Sequence, residues 1–229
     1  MKRNLLVFGA TGELGRGIVS SISLNNFDEV FLFGFSQNEN LNTEFNQVII
    51  SDLSIEKNVI DAFANVVEDK NNIYFMVSTV GGYIGGKQIN QTPHEDYLRM
   101  INMNLTSNFL LLKHFATLVK NSKAGSACII AAYRGLHAKE NDGIYGASKA
   151  GLIHLIKTAS LEGNEINLTV NAIAPLIIDT EANRSWMKNV NFETLQKPKE
   201  IGELIWSLFD KFHFINGNII ELTRRLDLK

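Results

Sequence analysis

Tyr145 and Lys149, in Tyr145-Gly146-Ala147-Ser148-Lys149, are the residues whose types and spacing could do the most chemistry. Four residues apart on a helix, two side chains share one face with Cβ atoms about 5–6 Å apart. A phenol titrates at about pH 10 and is a poor acid–base at neutral pH. A neighbouring cation lowers that value by about 1–3 units. The phenol then exchanges a proton near neutrality. Spacing alone describes equally well a Tyr/Lys pair on an ordinary helix surface.

The second constellation is a glycine turn. Leu5-Leu6-Val7-Phe8 is an apolar run without polar alternation, as in a strand buried on both faces. Gly9, Gly12 and Gly15 follow at intervals of three, and Leu14, Ile18 and Ile22 then recur every four residues, as in a helix. Strand, glycine turn and helix together make a phosphate-site hypothesis. Backbone N–H groups must approach a pyrophosphate closely, which a Cβ would block, and the helix start adds about half a positive charge. The plainer alternative is an ordinary strand-to-helix turn. An oxidised nicotinamide carried on such a turn would lower a nearby phenol further.

These residues need a scaffold. With 229 residues, 45% of them apolar, the chain suits one α/β domain with a sizeable core. A net charge of −2 argues against a nucleic-acid partner, which favours a basic face. Five His are scattered without metal-ligand spacing. Cys128 stands alone in an apolar run, so no disulfide framework is expected and a reducing, cytoplasmic location is. Met1-Lys2-Arg3-Asn4 leads into only four apolar residues, too few for a signal peptide. No run approaches the roughly 20 apolar residues of a membrane span.

Strands are expected at residues 5–8, 30–33, 47–50, 73–77, 127–131, 167–174 and 218–222. Helices are expected after Ser51-Asp52-Leu53-Ser54 through about residue 68, from Thr92-Pro93-His94-Glu95 through 120, over 145–162 and over 200–212. Thr92 and Glu95 have capping-box spacing, with Pro at the first helical position. Residues 35–45 are polar and Asn-rich, hence a loop, and the charged tail after residue 222 should fray. Alternating strands and helices imply a parallel sheet covered on both faces, with ligands at the carboxyl ends of the strands.

Taken in order, Gly9-x-x-Gly12-x-x-Gly15, Asp52-Leu53, Gly81-Gly82, Asn104, Tyr145-x-x-x-Lys149, Asn171-x-Ile173-x-Pro175 and Thr180 resemble the short-chain dehydrogenase/reductase family over nearly the whole chain. The resemblance implies a Rossmann-type doubly wound sheet of about seven strands, spanning 1–229 as one domain, and an NAD(P)(H) cofactor. It implies Tyr145 as acid–base, Lys149 as its tuner and holder of the nicotinamide ribose, and Asn104 as holder of a water relaying protons to Lys149. The cofactor would be held by Gly9, Thr11, Gly12, Leu14 and Gly15 at the turn, and by Asp52 and Leu53 at the adenine. Thr79, Val80 and Gly81 would contribute after the fourth strand, and Pro175, Ile178 and Thr180 at the nicotinamide end. Family members are usually dimers or tetramers, so a homodimer or homotetramer acting on a small molecule is implied.

Three departures stand out. Glu13 occupies the family's middle-glycine position, Thr79-Val80-Gly81 replaces Asn-Ala-Gly, and Ala132 falls where the family has its catalytic Ser. A missing oxyanion donor typically costs about 10²–10³ in rate. Either Tyr133 or His137 then donates, or the substrate needs no such donor, or the protein binds nucleotide without turnover. Dihydropteridine reductases share the glycine spacing, a Gly-Gly-x-x-Gly-Gly run and Ala at the Ser position, and resemble residues 178–187 here. An adenosyl-methionine transferase also uses a glycine turn but leaves Tyr145 and Lys149 unexplained. After the second strand, Gly34-Phe35-Ser36-Gln37 carries neither the acid of an NAD site nor a basic clamp. Ser36 and Gln37 could bond a 2′-phosphate, which favours NADP(H) slightly over NAD(H). Tyr83, Ala132, Tyr133, His137, Asn183, Arg184 and Trp186 are expected to wall the substrate cleft, suiting a small flat or cyclic molecule.

Overall fold

A computed structural model describes residues 1–21, 26–36, 45–188 and 190–223. Seven parallel strands form one sheet: β1 (Arg3–Phe8), β2 (Glu29–Gly34), β3 (Asn46–Ile49), β4 (Ile73–Ser78), β5 (Ala124–Ile130), β6 (Leu168–Pro175) and β7 (Ile219–Leu222), in the order β3-β2-β1-β4-β5-β6-β7. β1 pairs with both β2 and β4, so the order of winding reverses beside it. In doubly wound sheets that reversal opens a crevice at the carboxyl ends of the strands.

Both faces of the sheet are covered, which is why residues 5–8 of β1 are all apolar. Leu6 and Phe8 belong to one core, packed under α2 (Glu56–Phe63), α4 (Ser107–Lys120) and α5 (Gly143–Glu162). Leu5 and Val7 belong to the other, packed under α1 (Glu13–Val19) and α7 (Pro198–Asp210). Adjacent strand residues point to opposite faces. Each fully buried Leu or Phe here contributes about 1.5–3 kcal/mol.

Several boundaries differ from the sequence expectation, each for a local reason. The helix expected through residue 68 stops at Phe63, where the Asn65 side-chain amide donates to the carbonyls of Asp61 (2.9 Å) and Ala62 (3.2 Å). Such side-chain bonds compete with continuation of the helix. The capping box at 92–95 does not form. Pro93 occupies the cap position of α3 (His94–Met100), and the Thr92 hydroxyl turns back to the Gln88 carbonyl at 2.9 Å. From α3 the helix runs to Lys120 but widens into a π turn over Ile101–Thr106. α5 begins two residues before Tyr145. After β6 the loop contains a short α-helix, α6 (Glu181–Arg184), and a 3-10 turn at Phe192–Thr194. Ile22, Gln37 and the tail from 224, together with most of the Asn-rich loop, lie outside the described residues.

Candidate active site

The glycine turn runs from the end of β1 into α1. The Gly9 and Ala10 amides donate to the Phe33 carbonyl at 2.9 and 3.0 Å, fastening the turn to β2. Gly9 thereby takes a φ of +83°, which glycine adopts at no steric penalty. A Cβ at Gly15 would lie 2.8 Å from the Cα of Ala10, so α1 packs this closely only because residue 15 is glycine. Gly12 meets nothing nearer than the Gly9 carbonyl at 3.4 Å. It caps α1 without any side-chain bond.

Two adjoining cavities open at the carboxyl edge of the sheet. One, of about 350 Å3, is lined by Gly9, Thr11, Gly12 and Gly15, by Asp52 and Leu53, and by Val80 and Thr180. The other, of about 360 Å3, is lined by Tyr145, Lys149, Tyr83, Ala132, Pro175, Ile178, Asn183 and Trp186. Leu14, Thr79 and Gly81 border both, so the two form one continuous cleft. The Thr79 hydroxyl lies 3.2 Å from the Phe8 carbonyl and 3.1 Å from that of Gly9, tying β4 to the glycine turn. Asp52 accepts from the amide and hydroxyl of Ser54 at 2.8 and 2.7 Å, which holds the start of that loop.

Lys149 is buried at the floor of the second cavity, where its Nζ donates to the Ile130 carbonyl at 3.0 Å. Burial brings its ammonium down from 10.5 to about 8. Asn104 sits on the π turn and is fully buried. Its Oδ1 accepts from the Gly82 amide at 2.9 Å. Its Nδ2 donates to the Gly82 carbonyl and to Ser148 Oγ, both at 3.0 Å. A Cβ on Gly81 would lie 2.5 Å from Asn104 Oδ1 and 3.2 Å from Lys149 Nζ, so these two groups converge there. The widened turn places Asn104, as π turns often do at functional sites.

Tyr145 opens into the same cavity. Sequence reasoning expected Lys149 to lower its phenol, but in the chain itself the phenol is pushed up to about 12. Burial is the main cause, with Asp142 and Tyr83 adding to it. The Tyr83 ring meets Tyr145 edge to face with centroids 4.9 Å apart.

Four expected site residues are placed elsewhere. Tyr133 stacks on His137 at 4.1 Å, and His137 Nε2 lies 2.6 Å from Glu221 on β7, so neither lines the cleft. The short helical turn after Ala132 swings them to the β7 side. Arg184 is held by Asp179, with Nε and Nη2 donating at 2.5 and 2.8 Å, and does not line the cleft either. Ser36 is exposed and off the cleft wall, where Phe35 stands instead. Residues that sequence reasoning passed over include Asp142, Arg134 and Lys139 in the second cavity and Met103 and Ser107 in the first. The helix was expected to begin only at Tyr145, so Asp142 carried no capping signal in the sequence.

Sheet order, glycine turn and the Tyr145–Lys149 pair above it define a Rossmann-like doubly wound α/β protein. A family model described as enoyl-(acyl carrier protein) reductase matches residues 36–222, and the chain belongs to the short-chain dehydrogenase/reductase family of oxidoreductases. A dihydropteridine reductase of Dictyostelium discoideum is 27% identical over 229 residues, covering 96% of this chain and 94% of that one. The 3-oxoacyl-acyl-carrier-protein reductase MabA of Mycobacterium avium is 30% identical over 135 residues, 59% of this chain and 52% of its own. The NADP-bound structure of ElxO superposes with a TM-score of 0.82 at 20% identity, covering 96% of this chain and 97% of ElxO. A short-chain type dehydrogenase/reductase from Mycobacterium ulcerans gives 0.83 at 19% identity, covering 97% and 90%. No helix among the described residues is long and apolar enough to cross a membrane.

Proposed function

We propose that the protein is an NAD(P)(H)-dependent reductase in which Tyr145 is the acid–base, Lys149 its cationic partner and Asn104 the polar link behind them. One observation carries this reading. A buried ammonium and a phenol one helical turn apart face the same cleft as the glycine turn. The chain's own residues fit a dinucleotide: Gly12 leaves the start of α1 free of side-chain capping, and Gly15 lets α1 approach the turn closely. Gly9, Thr11, Gly12, Leu14 and Gly15 would hold the pyrophosphate, with Asp52, Leu53 and Val80 at the adenine end. Thr79, Gly81, Pro175, Ile178, Thr180 and Lys149 would hold the nicotinamide end. The bound cofactor supplies hydride. Tyr145 would give the matching proton and would be reprotonated by way of Lys149 and a water held by Asn104.

NADP(H) is favoured slightly over NAD(H), because residues 34–36 offer no carboxylate to repel a 2′-phosphate, and a structural neighbour holds NADP. The substrate is read as a small flat conjugated acceptor rather than an ordinary ketone. Ala132 puts no hydroxyl where the family's Ser stands, neither Tyr133 nor His137 replaces it, and a relative over nearly the full chain is a dihydropteridine reductase. Ala132 also favours a second reading, a nucleotide-binding protein without turnover. A single-domain, cytoplasmic homodimer or homotetramer is the assembly expected by analogy with the family.

The test is NADPH fluorescence titration followed by turnover with a quinonoid dihydropterin. Tyr145→Phe should bind NADPH like the parent and turn over about 10²-fold or more slowly. Full activity in that variant refutes the mechanism. NADPH binding with no turnover of any carbonyl or quinonoid acceptor selects the second reading.

A further inference from the structure

Asp142 stands at the cap position of α5, three residues before Tyr145, yet caps nothing. Aspartate at that position ordinarily accepts from the first free amides of its own helix. Here its Oδ1 accepts instead from the Tyr83 hydroxyl, at 2.7 Å across the cleft. Asp142 is only 6% exposed, and its nearest cation, Arg134 Nε, lies 3.7 Å away, beyond hydrogen-bond reach. The loop after β4 is shaped around this contact. A Cβ on Gly85 would lie 2.6 Å from Tyr83 Cζ and 2.8 Å from Asp142 Oδ1. The Gly86 amide donates to the Asn141 carbonyl at 2.7 Å, fastening the same loop to the start of α5. Tyr83, so anchored, presents its ring edge to Tyr145.

We propose that Asp142 is a positioning residue for Tyr145, fixing the phenol ring through Tyr83 and setting a negative charge beside the proton that the phenol transfers. A local capping bond given up for a contact across the cleft is where functional demands override local rules. The proposal rests on Tyr145 being the acid–base. Its consequence is that loss of the Asp142 carboxylate should ease ionisation of the Tyr145 phenol. The charged and titratable groups around Tyr145 are Asp142 and Lys149 on or beside α5, Tyr83 from the loop after β4, and Arg134 and Lys139 after β5. Burial first, then Asp142 and Tyr83, hold the Tyr145 proton on, and Arg134 opposes them.

Tyr145 ionisation is read directly, without substrate, by NMR of ring-labelled tyrosine, assigned by its loss in Tyr145→Phe. The titration covers the alkaline range in which circular dichroism shows the fold intact. Asp142→Asn keeps an acceptor for Tyr83 and removes the charge. Asp142→Ser removes the charge but supplies a good helix cap, which guards against loss of fold. In both, Tyr145 should ionise at a proton concentration about tenfold or more higher than in the parent. An identical titration in parent and variants overturns the proposal. If Tyr145→Phe instead retains full turnover, the acid–base reading fails while the titration still reports what Asp142 does.

Discussion

Both carboxylate oxygens of Glu13 accept from the backbone amide of Glu181, at 2.9 and 2.8 Å. The residue that displaces the family's middle glycine therefore ties the glycine turn to the start of α6, across 168 positions of sequence. Glu13→Ala should release that end of the loop. We expect the Glu181 amide to lose protection in hydrogen exchange, with a global stability loss of about 1 kcal/mol. Unchanged protection would show that the loop is held by its other contacts.

The glycines of the turn are not equivalent. Gly15→Val should destabilise the fold by about 1–3 kcal/mol through overpacking and should abolish NADPH binding. Gly12→Ala, with only the Gly9 carbonyl nearby, should melt like the parent and weaken NADPH alone. Thermal melts and fluorescence titration separate the two. Equal melting losses in both variants would contradict the packing described here.

Lys149 gives a pH signature. Its folded value of about 8 lies below its ordinary 10.5, so the unfolded chain binds more protons between those limits. Stability contributed by this site should therefore rise as pH increases from about 8 towards 10.5. Lys149→Met should flatten that rise, increase stability at neutral pH and weaken NADPH binding. Urea melts across the range check it.

Asp179 gives a rise with pH of the same sign but in acid, and here the charged form is the one the fold stabilises. Arg184 and Lys197 hold its carboxyl down at about 2, so its contribution is full above its ordinary 3.8 and is lost as pH falls towards 2. Asp179→Asn should lose about 1–2 kcal/mol at neutral pH, allowing for the exposed Arg184 partner. The gap between variant and parent should close in acid. A constant gap down to the lowest pH would mean that packing of the loop, not charge, is what Asp179 supplies.

Ala132 is the test of substrate class. Ala132→Ser places a hydroxyl on the cleft wall. Ketone reduction should rise about tenfold or more if the native pocket lacks only that donor. Brisk ketone reduction by the parent, unchanged in Ala132→Ser, would remove the preference for a conjugated acceptor.

The sequence by itself determined the strands, the crossovers and the order of the motifs. Leu5 to Phe8 read as a strand buried on both faces, and glycines spaced by three followed by a period of four read as a turn into a helix. Those features are local, and side-chain periodicity records them. It also singled out Tyr145 and Lys149, whose spacing along one helix survives folding, while Asn104 and Ala132 came from the resemblance to the family. The tertiary structure alone decided which polar groups face the cleft. Arg184 turns to Asp179, His137 to Glu221, and Asp142 leaves its own helix for Tyr83. These partners lie 5, 84 and 59 residues apart, and for the buried carboxylates of Asp179 and Asp142 the choice follows from the need to partner a buried charge once the sheet has closed. The proton affinity of Tyr145 was hidden for the same reason. It depends on burial and on neighbours brought from separate loops, and neither is written in the spacing of Tyr145 and Lys149.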